Sequence, residues 1–137
     1  HNKDITFNSK ESLSFEGETG PYIQYTHARC NSLLKKANYK YKKPKLELLQ
    51  HPLEQALITK LGNFPDTTEK AAKELKPSLI ANYLLDLSRS FNEFYQQCPC
   101  IKTEKDLALA RQTLVEATKT VIAKGLDLLT IEAPNEM

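Results

Sequence analysis

The chain has few glycines, few cysteines and no long apolar run, and each shortage removes a class of protein. Only four of its 137 residues are glycine, which argues against a β-sandwich or barrel built on many tight turns. No apolar stretch approaches the roughly 20 residues of a membrane-spanning helix. The opening His-Asn-Lys-Asp has no signal-peptide pattern, and three cysteines do not make a disulfide framework. We therefore expect a cytoplasmic protein with reduced thiols and no membrane partner.

Motifs for catalysis and metal binding are also missing. The sequence has neither a Walker phosphate loop nor a Gly-x-Gly-x-x-Gly turn, and its three histidines are far apart. Cys98-Pro99-Cys100 is too closely spaced for a standard zinc half-site. His27 and Cys30 would share a helical face, but Cys30 fits an apolar stripe and no third group orients the pair. We predict no catalytic residue, no metal site and no cofactor within this chain.

Apolar residues at steps of three and four predict an all-α helical bundle of about five helices. The N-terminal segment is irregular, although residues 5–7 could form a short strand. Asp66-Thr-Thr-Glu69 resembles a capping box for the third helix, and Thr103 is expected to cap the fifth. The last residues are expected to be extended. The predicted helices cover residues 19–37, 52–62, 66–75, 77–97 and 104–129.

The fourth and fifth helices carry the longest apolar stripes. In the fourth, the expected core positions are Ile80, Tyr83, Leu84, Leu87, Phe91, Phe94 and Tyr95. In the fifth they are Leu107, Ala110, Leu114, Ala117, Val121 and Leu128. Shorter stripes include Leu53, Ala56, Leu57 and Leu61, then Ala71, Ala72 and Leu75. Gly125 costs about 1 kcal/mol relative to Ala inside a helix, so it predicts close packing or a bend.

Positive charge is clustered although the net charge is only +2. Six lysines and two tyrosines lie between residues 35 and 45, where they could attract phosphate, but a solvated, mobile linker between helices is favoured. On the last two helices, cations could contact phosphates, and Tyr83 or Tyr95 could stack on bases. On spacing alone, these two tyrosines are more typical of core residues than of a platform for bases. The candidate cations are Arg89, Lys105, Arg111, Lys119 and Lys124.

Three segments in order resemble one family of enzymes. Residues 17–30, Gly-Glu-Thr-Gly-Pro-Tyr-Ile-Gln-Tyr-Thr-His-Ala-Arg-Cys, are similar to the junction before the helical domain of arginyl-tRNA synthetases. Residues 77–98, with Tyr-Leu, Asp-Leu and Phe-Asn-Glu-Phe-Tyr, resemble the long helix of the DALR anticodon-binding domain, and residues 106–129 resemble the next helix. The ending Ala-Pro-Asn-Glu-Met is similar to the family's Pro-Glu-x-Met.

The resemblance implies a domain from a longer enzyme. Residues 1–18 would be a junction or catalytic-domain remnant, and residues 19–137 the anticodon-binding domain. The parent would be an ATP-dependent arginine–tRNA ligase that uses Mg²⁺ and forms arginyl-adenylate in a Rossmann-type domain absent here, so this piece alone should be inactive. The partners implied are arginine tRNA and, through the parent, arginine and ATP. A monomer is expected.

The resemblance also implies roles for single residues. Tyr83, Met137 and, beside Tyr83, Asn82 are expected to contact the anticodon, with Arg89, Arg111, Lys119 and Lys124 as phosphate contacts. Residues expected at the domain junction are Gly20, Pro21, Tyr22, Gln24 and Tyr25; both tyrosines should pack on the catalytic domain or on residues 1–16. Two departures from the family pattern bear on the tail. Thr130 stands where glycine is common, and Glu136 would repel phosphate.

Two other functions fit the residues. A helical protein-interaction module would bind a partner helix through an exposed apolar face at positions 80, 84, 87 and 91. An autonomous enzyme would use His27 and Cys30. Exposure of the apolar face would favour the first, and a measurable activity that depends on His27 would favour the second.

Overall fold

The structure, a computed structural model, describes residues 6–137, and every regular element in that range is helical. The predicted all-α bundle is confirmed. Of the predicted strand, Ile5 lies outside the described residues, and Thr6 and Phe7 have no regular structure. The four-residue α1 was not predicted. The elements are α1 (Ser9–Ser12), α2 (Gly20–Lys36), a 3₁₀ turn (Leu46–Leu48), α3 (Pro52–Gly62), α4 (Phe64–Glu74), α5 (Ser78–Gln97) and α6 (Lys105–Leu128).

The helices begin where side chains or prolines satisfy the first turn. Thr19 caps α2 by accepting a hydrogen bond from the Tyr22 N–H at 3.2 Å, as the sequence predicts. The capping box lies on α3 instead of α4: Glu54 accepts from the His51 N–H at 2.9 Å. The prediction at residues 66–69 was wrong, because α4 already begins at Phe64 with a proline in its first turn.

The cap of α6 also differs from the prediction. Glu104, rather than Thr103, caps the helix, and its carboxylate accepts from the N–H groups of Asp106 and Leu107. A carboxylate here both satisfies two free donors and complements the positive end of the helix dipole. The shift is one residue and leaves the helix face unchanged.

Helix α5 is the centre of the bundle and contacts α2, α3, α4 and α6. Its predicted stripe is buried from Ile80 to Phe94, and Leu84, Leu87 and Phe91 are completely inaccessible. Tyr95 is the exception, with 41% of its surface exposed, so its assignment to the core was wrong. The protein-interaction alternative required positions 80, 84, 87 and 91 to be exposed. They form the core instead.

Gly125 allows α6 to approach α5 closely. A Cβ built on Gly125 would lie 2.6 Å from Cδ2 of the fully buried Leu84, so the predicted close packing is confirmed. Several small or terminal apolar residues predicted to be buried are exposed. These are Ala56, Ala72, Leu75, Ala117 and Leu128. In α6 the buried face contains Val115, Thr118 and Ile122 and lies to one side of Ala117, whereas Leu75 and Leu128 lie at helix ends.

The C-terminal tail (residues 130–137) leaves α6 through a left-handed corner. Thr130 has φ of 58°, a conformation that costs a residue with a Cβ about 1–2 kcal/mol. The Ile131 N–H donates to the Leu126 carbonyl at 2.9 Å and closes the corner. Thr130 therefore occupies a backbone position that favours glycine. Among residues 6–137, no helix is long and apolar enough to cross a membrane.

Candidate nucleic-acid interface

An open groove of about 810 Å³ lies between α2, the end of α5 and the tail. Its lining combines aromatic rings with positive charge: Tyr25, Ala28, Arg29, Ser32, Leu33, Lys36, Tyr95, Pro99, Cys100, Ile101, Lys102, Glu136 and Met137. Three cations outnumber its single carboxylate, and Glu136 already pairs with Lys35 at 3.1 Å. A groove of this composition suits a polyanion with planar groups.

Arg29 lies between two aromatic rings in this groove. Its guanidinium carbon is 4.7 Å from the ring centre of Tyr25 and 5.1 Å from that of Tyr95. Nη1 donates to Asn92 Oδ1 at 2.7 Å and Nη2 to the Tyr25 hydroxyl at 3.1 Å. Within residues 6–137 these bonds leave three of its five N–H donors for a ligand, and no carboxylate forms an ion pair with it.

Asn92 fixes the direction of Arg29. Its side-chain Nδ2 donates to the hydroxyl of Tyr22 at 2.9 Å and to Thr26 Oγ1 at 3.3 Å, which turns Oδ1 towards the guanidinium. The Tyr22 hydroxyl therefore faces α5 rather than the N-terminal segment. Tyr25 instead packs on Phe15, with ring centres 5.8 Å apart, which is a contact with residues 1–16 as predicted.

The other residues predicted to lie at the junction divide between the helix start and the tail. Gly20 and Pro21 form the first turn of α2. Gln24 Nε2 donates to the Glu132 carbonyl at 2.8 Å, so Gln24 contacts the tail.

Tyr83 and Asn82 lie away from the groove. Tyr83 is 8% exposed, its hydroxyl donates to the Lys60 carbonyl at 2.6 Å, and its ring centre is 5.6 Å from that of Phe64. Burial raises the pKa of Tyr83 to about 12. Asn82 beside it is exposed. Tyr95 lies twelve positions after Tyr83 on α5, which is roughly 18 Å at the helical rise. Of the three predicted anticodon contacts, only Met137 lines the groove.

Arg111 is buried in an ion pair, which contradicts its assignment as a phosphate contact. Its Nε donates to Glu54 Oε1 at 2.6 Å and Nη1 to the Pro99 carbonyl at 2.9 Å. The neighbouring Gln112 donates to the Cys100 carbonyl at 2.7 Å. Both side chains hold the segment that forms one wall of the groove. Arg111 thus supports the groove from within the core.

The remaining predicted phosphate contacts differ in availability. Arg89 is partly exposed but pairs with Asp86 and Glu18 at 3.1 and 3.0 Å. Lys119 donates to Asn31 Oδ1 at 2.8 Å. Lys124 is exposed and, with Lys119 and His27, lines a small cavity of about 320 Å³. These three cations lie outside the aromatic groove.

His27 and Cys30 lack the surroundings of a catalytic pair. The His27 Nδ1–H donates to the Pro134 carbonyl at 2.8 Å, and burial lowers the pKa of the imidazole. Cys30 is completely buried, and burial raises its thiol pKa. In residues 6–137 no three His, Cys, Asp or Glu side chains are grouped closely enough to hold a metal ion.

The structure adds Arg29, Lys36 and Lys102 to the candidate site. Of the two tyrosines predicted as stacking candidates, only Tyr95 lines the groove. One feature of the sequence could have pointed to Arg29 as a binding residue. It is a charged residue within residues 17–30, the most distinctive segment of the chain. No spacing rule could pair it with Tyr95, which lies 66 positions later on another helix.

Comparisons with known proteins agree with the fold and the resemblance. Residues 23–137 match the family described as the DALR anticodon binding domain. Arginine–tRNA ligase of Haloarcula marismortui is 40% identical over 136 residues, which cover 98% of this chain and 24% of that protein. Arginine–tRNA ligase of Pyrococcus abyssi is 43% identical over 143 residues, which cover 98% of this chain and 22% of that protein.

Solved structures give the same answer. The arginyl-tRNA synthetase of Thermus thermophilus superposes with a TM-score of 0.92 at 41% identity, and the match covers 98% of this chain and 24% of that one. The arginyl-tRNA synthetase of Plasmodium falciparum superposes with a TM-score of 0.85 at 25% identity. The match covers 99% of this chain and 24% of that one. The chain thus spans about a quarter of the length of these relatives. It belongs to the DALR anticodon-binding domain family, as its sequence motifs predict.

Proposed function

We propose that this chain is the anticodon-binding part of an arginine–tRNA ligase and that the anticodon loop binds in the aromatic groove. The observation that carries the proposal is Arg29, held between Tyr25 and Tyr95 without a carboxylate partner among residues 6–137. A guanidinium so placed can reach a phosphate while the exposed ring of Tyr95 stacks on an unpaired base.

The lysines and the tail complete this arrangement. Lys36 and Lys102 line the same groove and add charge at its edges, where it attracts the RNA backbone. Met137, which is 53% exposed, offers a polarizable thioether to a base. Unpaired bases in a loop expose both their faces and their edges. A groove with aromatic rings and hydrogen-bond donors is therefore better suited to bind a loop than to bind a duplex.

Asn82 and Tyr83 remain proposed contacts of a different part of the RNA. Their distance of roughly 18 Å from Tyr95 along α5 exceeds the reach of one base, so they would face the other side of the anticodon stem-loop. Asn82 has an exposed amide for this role. The Tyr83 ring is largely covered, and only its edge would touch RNA. Replacing Tyr83 by Phe keeps the ring and removes only its bond to Lys60.

The proposal extends to the longer protein. Residues 1–18 would form the junction and residues 19–137 the anticodon-binding domain. A catalytic domain outside this chain would bind ATP with Mg²⁺ and join arginine to its tRNA, with the ligase acting as a monomer in the cytoplasm. Support comes from the names of the relatives above, which describe enzymes that join arginine to tRNA.

Binding of a labelled RNA hairpin with the anticodon stem-loop of an arginine tRNA tests the groove. We expect Tyr95→Ala to weaken binding about tenfold, because one base–aromatic stack is worth about 1–3 kcal/mol. Tyr41→Ala is the matched control, since Tyr41 is 71% exposed and lies outside the groove.

Two results would count against the proposal. One is equal affinity for hairpins with any anticodon, which would indicate attraction by charge alone. The other is an equal loss for Tyr95→Ala and Tyr41→Ala, which would place the RNA on the lysine-rich segment.

A further inference from the structure

The C-terminal tail is bound along α2 by a row of four side chains. Each side chain contacts one tail residue, and their spacing of three, four and four residues is that of a single helix face. Both series of numbers rise together, so the tail runs parallel to α2. The pairs are Gln24 Nε2 with Glu132 O at 2.8 Å, His27 Nδ1 with Pro134 O at 2.8 Å, Asn31 Nδ2 with Asn135 O at 3.1 Å, and Lys35 Nζ with Glu136 Oε1 at 3.1 Å.

Three of these bonds end on backbone carbonyls, and they are the ones that fix the path of the tail. The fourth, between Lys35 and Glu136, is a solvent-exposed ion pair and contributes little. His27 is buried, and its bond lies in the middle of the row. The tail is therefore held by its backbone, whatever side chains it carries.

Asn31 is itself held by the core. Its Oδ1 accepts from Lys119 Nζ of α6 at 2.8 Å, so its Nδ2 must point the other way, to the Asn135 carbonyl. Lys119 thus acts on the tail through Asn31. This link explains why a lysine predicted to meet phosphate turns inward.

The row ends beside the groove. Met137 follows directly after the last bound residue and lines the groove with Tyr95. We propose that Gln24, His27 and Asn31 are positioning residues that place Met137 at the RNA-binding groove, a role that rests on the proposed function. Without them the backbone of the tail would not be held against α2 after it leaves α6 at Thr130, and Met137 would lose its place in the groove wall.

The first test measures the position of Met137 without RNA. Met137 is the single methionine of the chain, so its ¹³C-labelled methyl group gives one NMR signal. In the double variant Gln24→Glu/Asn31→Asp both donors become acceptors that face carbonyls, while the new carboxylate at position 31 can still bind Lys119. We expect the methyl signal to move to the value of an unstructured methionine and to lose its cross-peaks to the residues that line the groove.

Gln50→Glu is the matched control for this test. The Gln50 amide also donates to a backbone carbonyl, that of Glu47 at 2.6 Å, but lies outside the row and the groove. The control should leave the methyl signal in place. An unchanged signal in the double variant, or a wild-type signal without cross-peaks to any residue that lines the groove, would overturn the positioning role.

The second test measures RNA affinity in a double-mutant cycle with Met137→Ala. In the wild-type background, we expect the double variant to bind the anticodon hairpin of an arginine tRNA about tenfold more weakly. In the Met137→Ala background the same double variant should weaken binding only about twofold, because the effects of coupled residues are not additive. An equal loss in both backgrounds would mean that added negative charge, not Met137, is responsible. If the wild type binds no RNA, the proposed function fails, and the NMR result still decides the positioning role. Rescue of His27→Ala by His27→Asn, whose amide can replace the Nδ1 donor, would support it further.

Discussion

Arg111 and Arg29 lie in two regions of the bundle that treat the same side chain in opposite ways. In the interior, Arg111 is paired with the buried carboxylate of Glu54, and that carboxylate also caps α3. In the groove, Arg29 is held by two tyrosine rings and one amide, none of which carries a charge. The charge of Arg111 is compensated by a carboxylate, whereas no carboxylate among residues 6–137 compensates the charge of Arg29.

The difference separates an arginine that stabilises the fold from one that is proposed to bind RNA. A buried ion pair that loses one partner leaves an uncompensated charge, so Arg111 and Glu54 depend on each other. Aromatic rings orient a guanidinium without consuming its charge. Arg29 can therefore be oriented for a phosphate before any ligand binds. Arg111 is buried and already paired with Glu54, so it is not available to a phosphate.

The largest expected effect comes from breaking the interior pair. Arg111→Met should lower the free energy of unfolding by about 3–5 kcal/mol, because Glu54 stays buried without its partner. Urea titration followed by circular dichroism measures the change. The double variant Arg111→Met/Glu54→Gln should recover part of the loss. If Arg111→Met alone is neutral, the interior is not closed as described.

A smaller effect, confined to binding, is expected at Arg29. Arg29→Met should weaken binding of the arginine hairpin about tenfold and flatten the slope of log affinity against log salt by about 0.7, the value for one phosphate contact on a single strand. Anisotropy titrations at several salt concentrations measure both. A loss of stability as large as that of Arg111→Met would erase the distinction between the two arginines.

Thr130 offers a way to change stability while leaving both arginines in place. Thr130→Gly should stabilise the protein by about 1 kcal/mol, because glycine removes the strain of a left-handed Thr. Part of this gain is lost because glycine loses more conformational entropy on folding. Thermal unfolding measures the shift, and Thr120→Gly, within α6, is a control that should destabilise. A fall in stability for Thr130→Gly would mean that the corner is not left-handed in solution.

The smallest effect is a pH dependence of the free energy of unfolding that arises from His27, in the small cavity outside the groove. Burial lowers the pKa of His27, and the nearby charge of Lys119 lowers it further. The hydrogen bond to the Pro134 carbonyl raises the pKa but does not cancel the effect of burial. The unfolded state then binds a proton more readily, so His27 contributes stability above pH 6.5 and loses it as pH falls through the lowered pKa. Lys119, Lys124 and Glu116 line the cavity beside His27.

Unfolding free energies at pH 7.5 and pH 5.5 test this dependence. His27→Asn, which retains a donor for Pro134 and cannot titrate, should show a smaller difference than the wild type. Equal differences in the two proteins would assign the pH dependence to other groups.

The fold could be predicted from the sequence because helices are local. The spacing of Leu84, Leu87 and Phe91 shows which face of α5 is buried, and Thr19 with Pro21 marks the start of α2 within one residue. Gly125 indicated close packing from its cost alone. These signals depend on residues only a few positions apart.

The candidate site could be predicted only in part, because its groups meet across the fold. Whether Arg111 is buried depends on Glu54, 57 positions away, and the place of Arg29 depends on Tyr95. Tyr95 continued an apolar stripe, but the neighbouring helices no longer cover it at the end of α5. Met137 was found through the family resemblance, and nothing in its spacing indicates that it lies beside Arg29.

The parallel pairing of the tail with α2 also affects the order of folding. Its contacts join residues more than a hundred positions apart, the largest separations among the hydrogen bonds within residues 6–137. Contacts of such long range carry the highest loop-closure cost and tend to form late. Helix α2 can pack on α5 and α6 before the tail is present, whereas its pairing with the tail waits for residues 132–136. The groove, whose lining includes Glu136 and Met137, is complete only after the tail has bound.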